Sequence, residues 1–201
     1  MRFDMIIAGV GGQGILTISA LIGRAALAKG WHLKQSEVHG MAQRGGAVQS
    51  HLRLSDRPIH SDLVPRGRAR LILATEPLEA LRYLPWLDPR EGWLVANEEP
   101  VRTMDAYPDP SALYAAIRSL PRHFLFNADA LARRLQAPRA ANIAMLGAAS
   151  PYLPFEPETL EAALAAQFAR KGNAVVEANQ AVFRAARQAA LQAVPSPSAP
   201  P

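Results

Sequence analysis

The stretch "IIAGVGGQGI", residues 6–15, constrains the fold of this chain more than any other. An apolar run ends at Ala8, after which Gly9, Gly11 and Gly14 stand in G-x-G-x-x-G spacing and an apolar helical pattern begins. The sequence predicts a buried strand turning directly into a helix. Each glycine has its own reason there: Gly9 frees the tight turn, Gly11 lets backbone approach a ligand, and Gly14 lets the helix pack against the strand. The amides of Gly12 and its neighbours at the helix start would face an anion. A dinucleotide reading also needs a ribose-binding carboxylate about twenty residues on, at the end of a second strand. Glu37 is the only acidic residue near that place, and it comes late. The loop therefore says more about fold than about ligand.

Beyond this loop, strand and helix patterns alternate. Strand one is read at 3–8, and its helix carries Ile15, Ile18, Leu21, Ile22 and Leu27 on the buried side until Gly30 ends it. "HLKQSEV" is a short second strand, "HGMAQRGG" a glycine-rich loop, and "AVQSHLRL" an alternating run with Val48, Ser50, Leu52 and Leu54 on one face and Gln49, His51 and Arg53 on the other. Pro58 and Pro65 bracket a further extended piece. Short apolar runs at "LILAT", "GWLVAN" and "HFLFNA" stand beside helical patterns at 78–84, 113–120 and 130–135, with Thr75 as a helix N-cap ahead of Pro77. Strands buried on both sides and alternating with helices predict an α/β, Rossmann-like fold with a mostly parallel sheet flanked by helices.

From about residue 142 the pattern is helical only: "NIAMLGAA", then 158–169, then 174–194 with an apolar stripe through Val176, Phe183 and Leu191. The sequence reads as one domain over 1–194 with a C-terminal helical part, and a disordered tail, "PSPSAPP", over 195–201. An apolar fraction of 49% with no uninterrupted run near the about eighteen residues of a membrane span predicts a soluble, cytoplasmic protein without membrane contact.

Two features of composition bear on chemistry. The chain has no cysteine, so it holds no disulfide, no thiolate-bound zinc and no iron–sulfur cluster of its own. Its net charge of +5 comes mostly from arginine, scattered except at Arg66, Arg68 and Arg70, where alternation puts three guanidinia on one exposed edge. Without an aromatic stacking surface, that edge does not read as a nucleic-acid platform.

The segment "SEVHGMAQRGGAVQSHLRL", residues 36–54, together with "AGVGGQGILT", "TEPLEALRYLPWL", "NIAMLG" and "KGNAVVEANQAVF", resembles the small, gamma-type subunits of the 2-oxoacid:acceptor oxidoreductase family, from residue 1 to about 184. Within it the chain is most similar to the indolepyruvate ferredoxin oxidoreductase branch, because the pyruvate and 2-oxoglutarate branches carry a "YGPEMRGG"-like loop where this chain has "HGMAQRGG". The resemblance implies a complex in which thiamine diphosphate with magnesium decarboxylates an aryl 2-oxoacid, [4Fe-4S] clusters pass electrons singly to ferredoxin, and coenzyme A takes the acyl group. A chain without thiolates and without a "GDG" diphosphate stretch holds none of these cofactors alone, so a large partner subunit must, and this chain alone should be inactive.

The residues predicted to hold a cofactor or to face the partner's site are Gly9, Gly11, Gly12 and Gly14 in the first loop, and Glu37, His39, Gly40, Met41, Gln43, Arg44, Gly45 and Gly46 around the second. Gly40, Gly45 and Gly46 free the backbone; Arg44 offers a planar fork for carboxylate or phosphate. Glu37 and His39 share a strand face, as an acid–base pair, half a metal site or a structural network. His51 and His60 could extend a metal site, but a single hydrogen bond satisfies His51, and no metal is expected. Glu76, at a strand's carboxyl end, could contact substrate but is read first as complementing a helix start, and Asn142, Glu177 and Asn179 are read as packing and capping residues. The rival readings are a free-standing NAD-binding oxidoreductase and a basic nucleic-acid module.

Overall fold

The computed structural model describes residues 1–40, 45–102 and 106–193. A mixed sheet of six strands holds the chain together: β1 (Arg2–Val10), β2 (His32–His39), β3 (Ala47–Ser55), β4 (Leu71–Ala74), β5 (Trp93–Asn97) and β6 (His123–Phe126), in the order β2-β3-β1-β4-β5-β6. β1, β4, β5 and β6 are mutually parallel, while β3 is antiparallel to both β1 and β2. Only β3 is therefore reversed, which agrees with the mostly parallel sheet read from the sequence. The helices are α1 (Ile15–Ala28), α2 (Pro77–Arg82), α3 (Pro110–Arg118), α4 (Ala128–Arg134), α5 (Ala141–Ala149), α6 (Pro157–Phe168) and α7 (Asn173–Ala193).

Alternation along β1 divides the interior. Met5 and Ile7 join the core under α1, α4, α5, α6 and α7, while Ile6 and Ala8 join a smaller core under α2 and α3. The helix after β1 thus lies on one face and the helix after β4 on the other, so the connections part between β1 and β4. That divergence opens a crevice at the carboxyl ends of the strands, where α/β proteins bind ligands.

Several expectations are corrected. Strand one does not stop at Ala8 but runs through Gly9 and Val10, which pair with Val48 and Ala47 of β3. Leu27 is 62% exposed and Leu191 is 48% exposed, so neither belongs to the stripe assigned to it; Phe183 is fully buried. The piece between Pro58 and Pro65 forms no strand. It is tied down instead by Arg53, whose Nη1 donates to the carbonyls of Ser61 and Leu63, both at 2.9 Å, while its Nε donates to Asp4 Oδ1 at 2.9 Å. Burial pushes the Asp4 carboxyl up against the opposing pull of the Arg2 guanidinium. The N-cap of α2 is Glu76, one residue later than Thr75: its backbone is extended, its Oε2 accepts from the Glu79 amide at 2.8 Å, and Pro77 follows. The terminal tail assigned to 195–201 lies outside the described residues. No helix among the described residues is long and apolar enough to cross a membrane.

Candidate functional site

The crevice is built from the loop after β1 and the ends of β4 and β5. Gln13 organises the loop: the Val10 amide donates to its Oε1 at 2.8 Å, the Thr75 hydroxyl donates to the same oxygen at 2.8 Å, and its Nε2 donates to the Thr75 carbonyl at 3.0 Å. Asn97, at the end of β5, donates from Nδ2 to the Thr75 carbonyl at 3.3 Å and to Asp129 Oδ2 at 2.8 Å, and accepts from the Ala128 amide at 2.9 Å. Asn142 reaches back from α5 to the Gly14 carbonyl at 3.4 Å. These groups line a cavity of about 420 Å³ whose ionised side chains are Asp129 and Arg139. Behind it, Tyr107 donates to Glu76 Oε1, which fastens the segment after β5 to the cap of α2; burial and then the Glu76 carboxylate push that phenol well above its usual range.

The glycines act differently from their sequence reading. Gly9 lies within the strand, where a Cβ would overlap the Thr75 hydroxyl, so it serves close packing and not a turn. Gly11 donates its amide to the Gly46 carbonyl at 2.9 Å, so that amide is spent on joining two loops and is not free for a ligand. The left-handed positions are Gly12 (φ 100°) and Gly14 (φ 77°), and a Cβ at Gly14 would strike the Asn142 amide as well.

The second predicted cluster lies beside the first. The carboxyl end of β2 and the start of β3 meet the sheet at the same end as the glycine loop, with the Gly40 amide donating to the Ala47 carbonyl at 2.9 Å and Gly45 left-handed at φ 80°. A second cavity, about 660 Å³, lies between them, lined by Gly11, Gly12, Gly14, Leu16, His39 and Gly40 among others. The structure thus gathers Gly9, Gly11, Gly12, Gly14, His39, Gly40, Gly45 and Gly46 at one end of the sheet, with Glu37 beside His39. Met41, Gln43 and Arg44 lie outside the described residues.

Glu37 is poorly sited for a ribose on the glycine loop. β3 intervenes between β1 and β2, which puts Glu37 two strands, about 10 Å, from β1 at ordinary strand spacing. Its carboxylate is engaged by Gln35 and His39. His51 is structural, as expected: it is buried, and Nδ1 accepts from the Val64 amide at 3.0 Å. Arg66, Arg68 and Arg70 are exposed, with Arg66 over the Trp86 ring and Arg70 paired with Glu91.

Sequence reasoning did not single out Gln13, Asn97, Asp129 or Arg139. The signal for Asn97 was present, because it ends the run "GWLVAN" as Thr75 ends "LILAT", at the carboxyl end of a strand. Asp129 and Arg139 carried no such signal, since only the packing of α4 and α5 brings them to the crevice.

A family model described as pyruvate ferredoxin/flavodoxin oxidoreductase matches residues 4–189. The chain belongs to this family. Among relatives of the pyruvate ferredoxin/flavodoxin oxidoreductase family, indolepyruvate oxidoreductase subunit IorB of Methanothermobacter thermautotrophicus is 36% identical over 169 residues, covering 80% of this chain and 85% of that one. The fold matches the gamma subunit of a keto/oxoacid ferredoxin oxidoreductase from Geobacter sulfurreducens, with TM-score 0.67 and 24% identity over 95% of this chain and 99% of that one. It also matches the 2-oxoglutarate:ferredoxin oxidoreductase of Magnetococcus marinus, with TM-score 0.75 and 19% identity over 96% of this chain. This chain spans 32% of that longer one.

Proposed function

We propose that this chain is the small subunit of a complex that oxidatively decarboxylates an aryl 2-oxoacid, indolepyruvate in the first place, to an acyl-coenzyme A with ferredoxin as electron acceptor. The observation that carries the reading is the 36% identity to an indolepyruvate oxidoreductase subunit across four fifths of the chain. The loop "HGMAQRGG" supports the same branch.

The chain's own residues do not fit the redox cofactors of such a complex. Iron–sulfur clusters take thiolate ligands, and there are none. Thiamine diphosphate needs a diphosphate cradle and oxygen ligands for its magnesium. Here Asn97 and Asp129 bond to each other, and the Gly11 amide is already spent. These groups belong to a larger partner in this reading, and the small subunit is inactive alone. The docking face is the end of the sheet where the glycine loop meets the β2–β3 hairpin, beside Leu16, which is 49% exposed.

The test is to capture the full chain from native lysate and measure the iron and the indolepyruvate-dependent reduction of ferredoxin in what accompanies it. A large, cysteine-containing, iron-loaded chain and turnover only in its presence are expected. Turnover by the isolated chain would refute the proposal.

A further inference from the structure

A polar ladder runs along one face of the β2–β3 hairpin and ends at the cavity beside the glycine loop. Ser19 of α1 donates to Ser50 Oγ at 3.3 Å, and Gln35 Nε2 donates to Ser50 Oγ at 3.2 Å and also to Glu37 Oε1. His39 Nε2 lies 3.3 Å from Glu37 Oε2. Gln35, Glu37 and His39 share a face because they alternate along β2. Ser19 and Ser50 are buried, which fixes the foot of the ladder, while the His39 side chain at its head is 52% exposed.

An ionised carboxylate only accepts hydrogen bonds, so Glu37 holds the imidazole as its Nε2–H tautomer. Nδ1 is left as a lone-pair acceptor with no partner among the described residues. His39 is the only titratable side chain among those lining the 660 Å³ cavity. Glu37 is the charged group that meets it; Val48 of β3 and Leu16 and Thr17 of α1, which line the same cavity, are uncharged. A ring pinned by a carboxylate, itself pinned through Gln35 to buried hydroxyls, is built as a positioned base.

We propose that His39 is the base that takes the proton released when the acyl-acceptor thiol becomes a thioester, with Glu37 and Gln35 as positioning residues. This rests on the complex proposed above. Forming the sulfur–carbon bond breaks the thiol S–H bond, which releases a proton, and the bond from the acyl carbon to its carrier in the partner subunit, which takes back that electron pair and is regenerated; the two electrons of the oxidation leave to the one-electron carriers of the complex. Nδ1 accepts that proton and returns it to solvent, so atoms and charge balance.

The test uses the assembled complex carrying wild-type, His39→Asn or Glu37→Ala small subunits. Bleaching of the iron–sulfur absorbance by indolepyruvate without thiol reports the oxidation; thioester formation after adding coenzyme A reports the proposed step. The ratio of thioester formation to bleaching is expected to fall about 100-fold in His39→Asn and about tenfold in Glu37→Ala. The change falls on kcat and not on KM for coenzyme A, and the acid-side limb of kcat against pH disappears in His39→Asn. In the full chain alone, imidazole ¹⁵N resonances show the Nε2–H tautomer of His39, and Glu37→Ala loses that preference. An unchanged ratio and pH profile in His39→Asn, or identical tautomers in wild type and Glu37→Ala, would overturn the role of His39 and leave the complex standing. No bleaching by indolepyruvate in the wild-type complex would overturn both.

Discussion

A methyl group at residue 9 has no room, because the Thr75 hydroxyl occupies its place. Gly9→Ala is therefore expected to destabilise the chain by about 1–3 kcal/mol, the range for overpacking in a close-packed interior. Thr75→Ala in the same chain removes the clash and should recover part of that loss, read as a positive coupling in a double-mutant cycle by urea unfolding. At His51 the decisive physics is protonation. Burial depresses the imidazole below its ordinary 6.5, against a smaller opposing pull from Asp62, and Nδ1 must stay unprotonated to accept from the Val64 amide. The unfolded chain then binds a proton that the folded chain refuses, so stability falls as pH drops below 6.5 and levels off beneath the folded value. Urea midpoints measured across that window should slope in the wild type and flatten in His51→Gln.

Between elements, α5 and α7 pack with no room for a side chain where they meet. Gly147 of α5 faces the Phe183 carbonyl of α7, where an added Cβ would overlap backbone that cannot rotate away. Gly147→Ala should cost about 3 kcal/mol, at the upper end of ordinary overpacking. For a chain of this length that corresponds to roughly 6–12 °C in Tm, measurable by calorimetry. The element scale also shows where sequence patterns were legible. Helices announced themselves through apolar spacing, and their observed ends differ from the expected ones by one to three residues. The N-cap of α2 moved from Thr75 to Glu76 because a longer side chain reached the Glu79 amide while Thr75 was drawn off to Gln13. Leu27 and Leu191 continue an apolar spacing in their helices and yet face solvent, because spacing alone does not show where the neighbouring helices stop covering a face.

At the scale of the molecule, the candidate site is a meeting of parts far apart in the chain. Gly11 and Gly46 are joined by a hydrogen bond, and Gln13, Thr75, Asn97, Asp129 and Asn142 converge on one crevice. By itself the sequence determined the alternation of strands and helices, the burial of the central strands on both sides, and the lack of any thiolate for an electron carrier, because each is local or compositional. Only the tertiary structure decided that β3 enters antiparallel between β1 and β2, which removes Glu37 from the glycine loop, and that the Gly11 amide is spent on Gly46. Strand order and hydrogen-bond partners depend on contacts between distant segments, and hydrophobic periodicity, which reports only the burial of each side chain in its own element, carries no information about them.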